Sequence, residues 1–518
     1  MLATIDAGRR PSPYRRPMKF LALAFLAGLG SALGFAPLGL WPLTLVAFAA
    51  LLWLIETAPG LRSALARGWW FGVGQFVLGL NWIATAFTFQ AAMPAWLGWV
   101  AVVLLSLYLA LYPAAAAGLA WRWGRAGSDR LMLALAAAWI VTEWLRATLF
   151  TGFAWNPIGV VWVGVGGIAG LAAFVGTYGL GAVTILAGGA LGQLARRQWL
   201  AASASAIPIL LLALLPLRSA PPDSSRPLIR IVQPNIGQEE KWTPTFAARN
   251  EARLGGLSRG GDPAAILIWP EAAVTDPLQD GRRFPEVYEE VMATRAGVRR
   301  LILGAPLLLT GGITVKSADG RFANGATNSV FALTPERILA RYDKAHLVPY
   351  GEYLPMRPLL SAIGLSRLAP GELDFDPGPG PRTIILPVAG RVGFQLCYEI
   401  IFSGDVVDRN DRPDWIFNPS NDAWFGAWGP PQHLAQARLR ALEEGLPIVR
   451  ATPTGISAVI DAGGRLVASL PLGSAGAIEA RLPAPLPPTP FARFGNGLAL
   501  AFALLLAAAA IAVRRKSR

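Results

Sequence analysis

One cysteine and two histidines occur in 518 residues. A single cysteine excludes an intramolecular disulfide framework and any cysteine-based zinc or iron-sulfur cage. Two histidines cannot build a multi-histidine metal site, so neither a metal nor another cofactor is expected. Charge is also scarce, at 15% of residues against about 25% in soluble domains. Together with 53% apolar residues, this excludes both a wholly soluble protein and a disordered one. The charge present is lopsided, with Lys+Arg 46 against Asp+Glu 32 and a net charge of +14. No basic tract is interleaved with stacking aromatics, so nucleic acid is not an expected partner. The excess instead fits cytoplasmic loops and anionic lipid headgroups.

From Phe20 to Leu217 only eleven charged residues interrupt long apolar stretches. Crossing a hydrocarbon core of about 30 Å takes about 20 residues. The pattern predicts seven spans, near residues 20–37, 40–56, 68–88, 95–117, 131–150, 168–190 and 199–217, and an eighth at 494–513. The first could be read as a signal peptide, because Arg9, Arg10, Arg15, Arg16 and Lys19 precede it, but the chain re-enters the apolar pattern at once. With eight spans the basic N-terminus, the Arg62/Arg67 loop, the Arg122/Arg125/Arg130 loop, the Arg196/Arg197 pair and the basic tail 514–518 all fall on one side. That side is cytoplasmic by the positive-inside rule. The remainder is expected on the other side, the periplasm of a bacterium, with the protein in the inner membrane.

The remainder, residues 228–482, lies between proline-rich connectors at 218–227 (RSAPPDSSRP) and 483–493, the second opening with PAPLPPTP. Its length suffices for one substantial core. β-rich runs begin at Leu228, Ala265, Arg300, Thr327, Arg391, Asp414 and Gly455, and a helix-like stretch begins at Pro430. This alternation predicts a mixed α/β layered domain.

Chemistry is sought where apolar strands end in polar residues. Three places qualify: Glu271 after AILIWP, Lys344 in RYDKAHLVPYGEYLP, and Cys397 in GFQLCYEI. Singly, each has an ordinary explanation as a buried small hydrophobe, a cap carboxylate or an exposed lysine. In combination, WPE (269–271), YDKxHLVPYGE (342–352) and CYE (397–399) resemble the Glu, Lys and Cys motifs of the nitrilase superfamily, in the same chain order. NPSNDAWFG (418–426) and QHLAQARLRALE (432–443) extend the resemblance over the soluble part. It implies a four-layer α-β-β-α sandwich. A nitrilase-like domain placed before the last of eight spans is similar to one branch, the apolipoprotein N-acyltransferases. QPNI (233–236) with Trp242, and EWLRATLFTGFAWNPIG (143–159), fit that branch. Ala154 and Pro453 depart from it, standing where proline and asparagine are expected.

The resemblance implies a phospholipid acyl donor, a diacylglyceryl apolipoprotein acceptor and no obligatory oligomer. The residue chemistry agrees. A thiolate at Cys397 is the nucleophile for acyl transfer through a thioester. Glu271 is expected as its base, with His346, two residues past Lys344, as a secondary candidate. A free thiol and a free Glu differ by about four pK units, so burial of Glu271 and the nearby Lys344 ammonium are needed to match them. Lys344 and a backbone N–H after the nucleophile would stabilise the oxyanion. The resemblance adds Glu352, Tyr398 and Glu399 as supporting residues. Trp242 is expected near a lipid entrance, and Glu143 and Arg146 as a pair on one helix face. Two other readings are a membrane-tethered amidase that passes its thioester to water, and a transporter or lipid-binding scaffold with an inactive enzyme domain.

Overall fold

The computed structural model describes residues 15–89, 94–302, 304–362, 368 and 373–516. Arg9, Arg10 and Arg518 lie outside them. Residues 15–213 form helices and short turns. Apolar helices lie at or beside all eight positions expected for spans, with ends displaced by several residues. Three are long and apolar enough to cross a membrane: Leu97–Gly124, Ser128–Thr148 and Ala172–Ala195. The pair Leu61–Gly79 and Ile83–Phe89, bent by 49°, makes a fourth if taken as one span. Met18–Ala32, Trp41–Glu56, Trp199–Ala213 and Gly497–Val513 are apolar but shorter. By length and composition alone, three or four of the eight expected crossings meet the criterion, and the four shorter helices, at 10–17 residues, do not reach the full span length on their own.

Thirteen strands follow: β1 Leu228–Gln233, β2 Ile266–Ile268, β3 Gln279–Asp280, β4 Leu308–Lys316, β5 Gly325–Leu333, β6 Ile338–Asp343, β7 Thr383–Leu386, β8 Gly390–Phe394, β9 Trp415–Pro419, β10 Ile448–Ala451, β11 Ser457–Ile460, β12 Leu466–Leu470 and β13 Gly476–Arg481. One sheet runs β13-β1-β2-β4-β5-β6 with β3 beside β4, and the other runs β12-β11-β10-β9-β8-β7. The run at Arg300 is helical in its first part, because the helix Pro285–Leu301 extends into it and the strand starts only at Leu308.

Alternation along the strands explains how the sheets stack. Ile229 and Ile231 of β1, Ile266 and Ile268 of β2, Val330 of β5, Phe394 of β8, Phe417 of β9 and Val449 of β10 share one core between the sheets. Val232, Leu267 and Phe331 point outward from the first sheet, into a core with Leu254 and Val298 of the helices Ala247–Arg259 and Pro285–Leu301. Ile416, Ile448 and Ile460 point outward from the second sheet towards the helix Gly429–Glu444. That helix also packs against the apolar helices, so one continuous core joins both parts of the chain. Buried polar bonds cross the same boundary. The Thr177 backbone N–H and hydroxyl both donate to Glu443 Oε1 at 2.7 Å, and Trp155 Nε1 donates to Gln432 at 2.8 Å.

Candidate active site

Parallel pairing of β1, β2 and β4, and of β8, β9 and β10, aligns their C-terminal ends. Ligands in α/β sheets commonly bind outside such ends. Glu271 follows β2, Lys344 follows β6 and Cys397 follows β8. All three are buried, at 6%, 1% and 4% exposure, although two of them are charged residue types that fold inside only with partners.

The partners tie the cluster together. Lys344 Nζ donates to Glu352 Oε1 at 2.9 Å and lies 2.9 Å from Oε2 of the same carboxylate. Glu352 also accepts from the Val348 N–H at 2.8 Å. The Asn328 side-chain amide donates to Glu271 Oε1 at 2.7 Å and to Glu352 Oε1 at 2.9 Å, bridging the two carboxylates. The second oxygen of Glu271, Oε2, is buried and has no hydrogen-bond partner among the described residues, which leaves it open to accept a proton. Gly311 on β4 makes this placement possible, because a Cβ there would lie 2.7 Å from the Glu271 Cα.

Cys397 opens a 3₁₀ turn, Cys397–Ile401, with φ +47°, and Ala272 beside Glu271 has φ +51°. Non-glycine residues seldom adopt such backbone, and it concentrates at functional sites. Burial pushes the Cys397 thiol up and Glu271 adds to this, whereas Lys344 and the Asn421 backbone N–H pull it down. Against burial, Glu352, Glu271 and Cys397 hold the Lys344 ammonium in its charged form.

Glu399 does not face the reacting groups; it fastens two loops. It accepts from the Leu396 N–H at 2.7 Å, the Ala345 N–H at 2.7 Å, the His346 N–H at 3.1 Å and the Tyr342 hydroxyl at 3.0 Å. Burial pushes its carboxyl up to about 7, against the pull of those amides and of Lys344. Tyr398 donates to the Gly152 carbonyl at 3.3 Å. His346 turns away from Cys397, donating from Nε2 to the Thr151 carbonyl at 2.8 Å and stacking on Phe402. Thr151 and Gly152 belong to a loop that Glu143 and Arg146 organise. Arg146 donates to the Phe153 and Trp155 carbonyls at 2.8 and 2.9 Å, and Glu143 accepts from the Ile158 N–H at 2.7 Å. Trp242 is 40% exposed. Ala154 is fully buried in that same loop, and the Pro453 carbonyl accepts from the Asn235 N–H at 2.8 Å.

Three contributions escaped sequence reasoning. Asn328 was visible only as one polar residue opening a β run. Lys241 was hidden at the end of a short helix. The third is a buried network behind Cys397, in which His433 Nε2 donates to the Cys397 carbonyl at 3.0 Å, Nδ1 lies 3.0 Å from Asp422, and Arg450 reaches Asp422 at 2.7 Å. Burial and Arg450 keep His433 neutral. No group of metal-ligating side chains occurs among the described residues.

Residues 27–190 match the family model of the apolipoprotein N-acyltransferase N-terminal domain, and residues 228–486 match that of carbon-nitrogen hydrolase. The chain is 36% identical over 512 residues to an apolipoprotein N-acyltransferase of Rhodopseudomonas palustris, covering 92% of each protein. It is 37% identical over 520 residues to that of Bradyrhizobium diazoefficiens, covering 95% of this chain and 94% of the relative. To that of Caulobacter vibrioides it is 38% identical over 522 residues, covering 96% of each.

Proposed function

The chain belongs to the apolipoprotein N-acyltransferase family, and on that premise we propose how its residues carry out lipoprotein N-acylation. Glu271 takes the Cys397 proton, and the thiolate attacks an ester carbonyl of a membrane phospholipid. Lys344 and the Tyr398 backbone N–H stabilise the tetrahedral oxyanion. The C–O bond breaks, Glu271 returns the proton to the departing alkoxide, and a lysophospholipid leaves a Cys397 acyl thioester. The amine of a diacylglyceryl-cysteine at the lipoprotein N-terminus then attacks the thioester. Glu271 takes the amine proton and returns it to the Cys397 sulfur as the amide forms.

In this reading Glu352 holds Lys344, Glu399 and Tyr398 fix the turn that presents the nucleophile, and Trp242 lines the entrance. The architecture we propose has eight spans, the four shorter apolar helices completing the set. Residues 1–217 hold seven spans and 494–513 the eighth. The four-layer domain 228–482 faces the periplasm from the inner membrane, with 218–227 and 483–493 as linkers and both termini cytoplasmic. One chain suffices.

The observation that supports this reading most is the single hydrogen-bonded cluster of Glu271, Asn328, Glu352 and Lys344, whose charges act on Cys397. A two-step transfer is ping-pong. Initial rates with phospholipid and a diacylated lipopeptide as the varied pair are expected to give parallel double-reciprocal lines. Intersecting lines, or turnover of small amides with no lipid product, would favour a different mechanism.

A further inference from the structure

Lys241 ends the short helix Gln238–Lys241, just before Trp242. Its ammonium nitrogen is buried and has no hydrogen-bond partner among the described residues. Burial strips an ammonium of its hydration, so an unpartnered one is a burden on the fold. Groups kept in such surroundings concentrate at functional sites.

Three observations place this burden beside the nucleophile. Lys241 lines a cavity of about 590 Å³ together with Pro270 and Ala272, the residues flanking Glu271. Its helix is tied to the loop after β9, because the Asn421 side-chain amide donates to Gln238 Oε1 at 3.0 Å, and the backbone N–H of the same Asn421 is one of the groups that lower the Cys397 thiol against its burial. The opposite charges that act on Lys241 are Glu271 and Cys397. Glu251 from the helix Ala247–Arg259, Asp276 from the loop after β2 and Glu290 from the helix Pro285–Leu301 line the same cavity, and Glu239 and Glu240 share the helix of Lys241.

The charge balance of the site then follows. Lys344 is committed to Glu352 through both carboxylate oxygens. When Cys397 passes its proton to Glu271, the negative charge moves from carboxylate to sulfur; Lys344 acts on both groups but is shared with Glu352, and Lys241, with no partner of its own among the described residues, is a second cation beside the pair. We propose that Lys241 is the counter-charge of the Glu271–Cys397 pair, a positioning residue that holds the resting carboxylate and then stabilises the thiolate. This rests on Cys397 being the nucleophile and Glu271 its base. Burial lowers the Lys241 ammonium to about 8, so the charge is present at neutral pH and fades in mild alkali.

Cys397 is the sole cysteine, which makes its alkylation a clean readout. Full-length protein in detergent is treated with iodoacetamide from pH 5.5 to 10, without lipid, with Cys397→Ala as blank. Lys241→Met is expected to alkylate about tenfold more slowly than wild type at pH 7, its midpoint displaced upward by about one pH unit. Lys241→Arg is expected within about threefold of wild type. A Met variant with the wild-type rate and midpoint would overturn the proposal. So would a slow Met variant whose defect Lys241→Gln does not share, since that would be packing alone. Incubating the wild type with phosphatidylethanolamine vesicles separates the two claims. If no acyl thioester forms, the transfer reading fails, and the alkylation profile still decides on Lys241.

Discussion

Asn328 carries the heaviest geometric load for its size. Its one amide nitrogen orients the proposed base and the carboxylate that holds Lys344. Replacing it with leucine leaves both carboxylates underbonded in a buried site. Asn328→Leu is therefore expected to lower kcat by about a hundredfold, within the range attributed to a positioned base, with little change in KM for phospholipid. A variant that loses only KM would contradict this. Lys241 allows a prediction of opposite character. The folded chain releases its ammonium proton near pH 8, the unfolded chain near 10.4. Between those values the unfolded chain binds more protons, so the contribution to stability rises with pH. Lys241→Met is expected to be more stable than wild type at pH 7 by about 1–3 kcal/mol, an advantage that shrinks as pH rises from 8 to 10. Thermal midpoints in detergent across that range check both the sign and the trend.

Strand ends are the elements that made part of the site legible. Glu271, Lys344 and Cys397 each follow a strand in sequence, so a polar residue at the end of an apolar run marked each place, and only the combination of the three motifs gave it weight. Asn328 and Lys241 were not legible this way, because their importance comes from strands and loops distant in sequence. Glu399 is the instructive difference. Beside Cys397 in sequence, it spends its carboxylate on the amides of Leu396, Ala345 and His346, binding one strand end to another. His346, two residues beyond Lys344, was expected to share the face of that lysine on a continuing strand. The strand stops at Asp343, and the ring turns to the loop after the helix Ser128–Thr148. Register also constrains β4, which passes Glu271 at Gly311. Gly311→Ala must push the two segments apart, at a cost of about 1–3 kcal/mol. A lower thermal midpoint with loss of transfer activity is expected; an unchanged midpoint would show that the contact relaxes freely.

At the scale of the molecule, the sheets and the apolar helices are parts of one core. Leu434, Leu439 and Leu442 on Gly429–Glu444 belong to the same cluster as Trp139, Trp155 and Leu180, and Glu443 Oε1 accepts two hydrogen bonds from Thr177 across the boundary. Composition revealed two kinds of chemistry in one chain, but not that they share a core, since a helix with one face on a sheet and another on a helical bundle looks like any buried helix. Residues 218–489 expressed alone are expected to aggregate or bind detergent, because that second face loses its cover. Recovery of a soluble, cooperatively folding monomer would show the contact to be dispensable. Holding the proposed catalytic groups against the apolar helices suits the lipid donor proposed above, and the thioester is the claim on which that account turns. Its most direct test is the intact mass of the full-length protein after incubation with phospholipid alone, beside Cys397→Ala. A hydroxylamine-labile gain of one acyl chain on the wild type only is the predicted result. An unmodified wild type under conditions that support transfer to lipopeptide would contradict it.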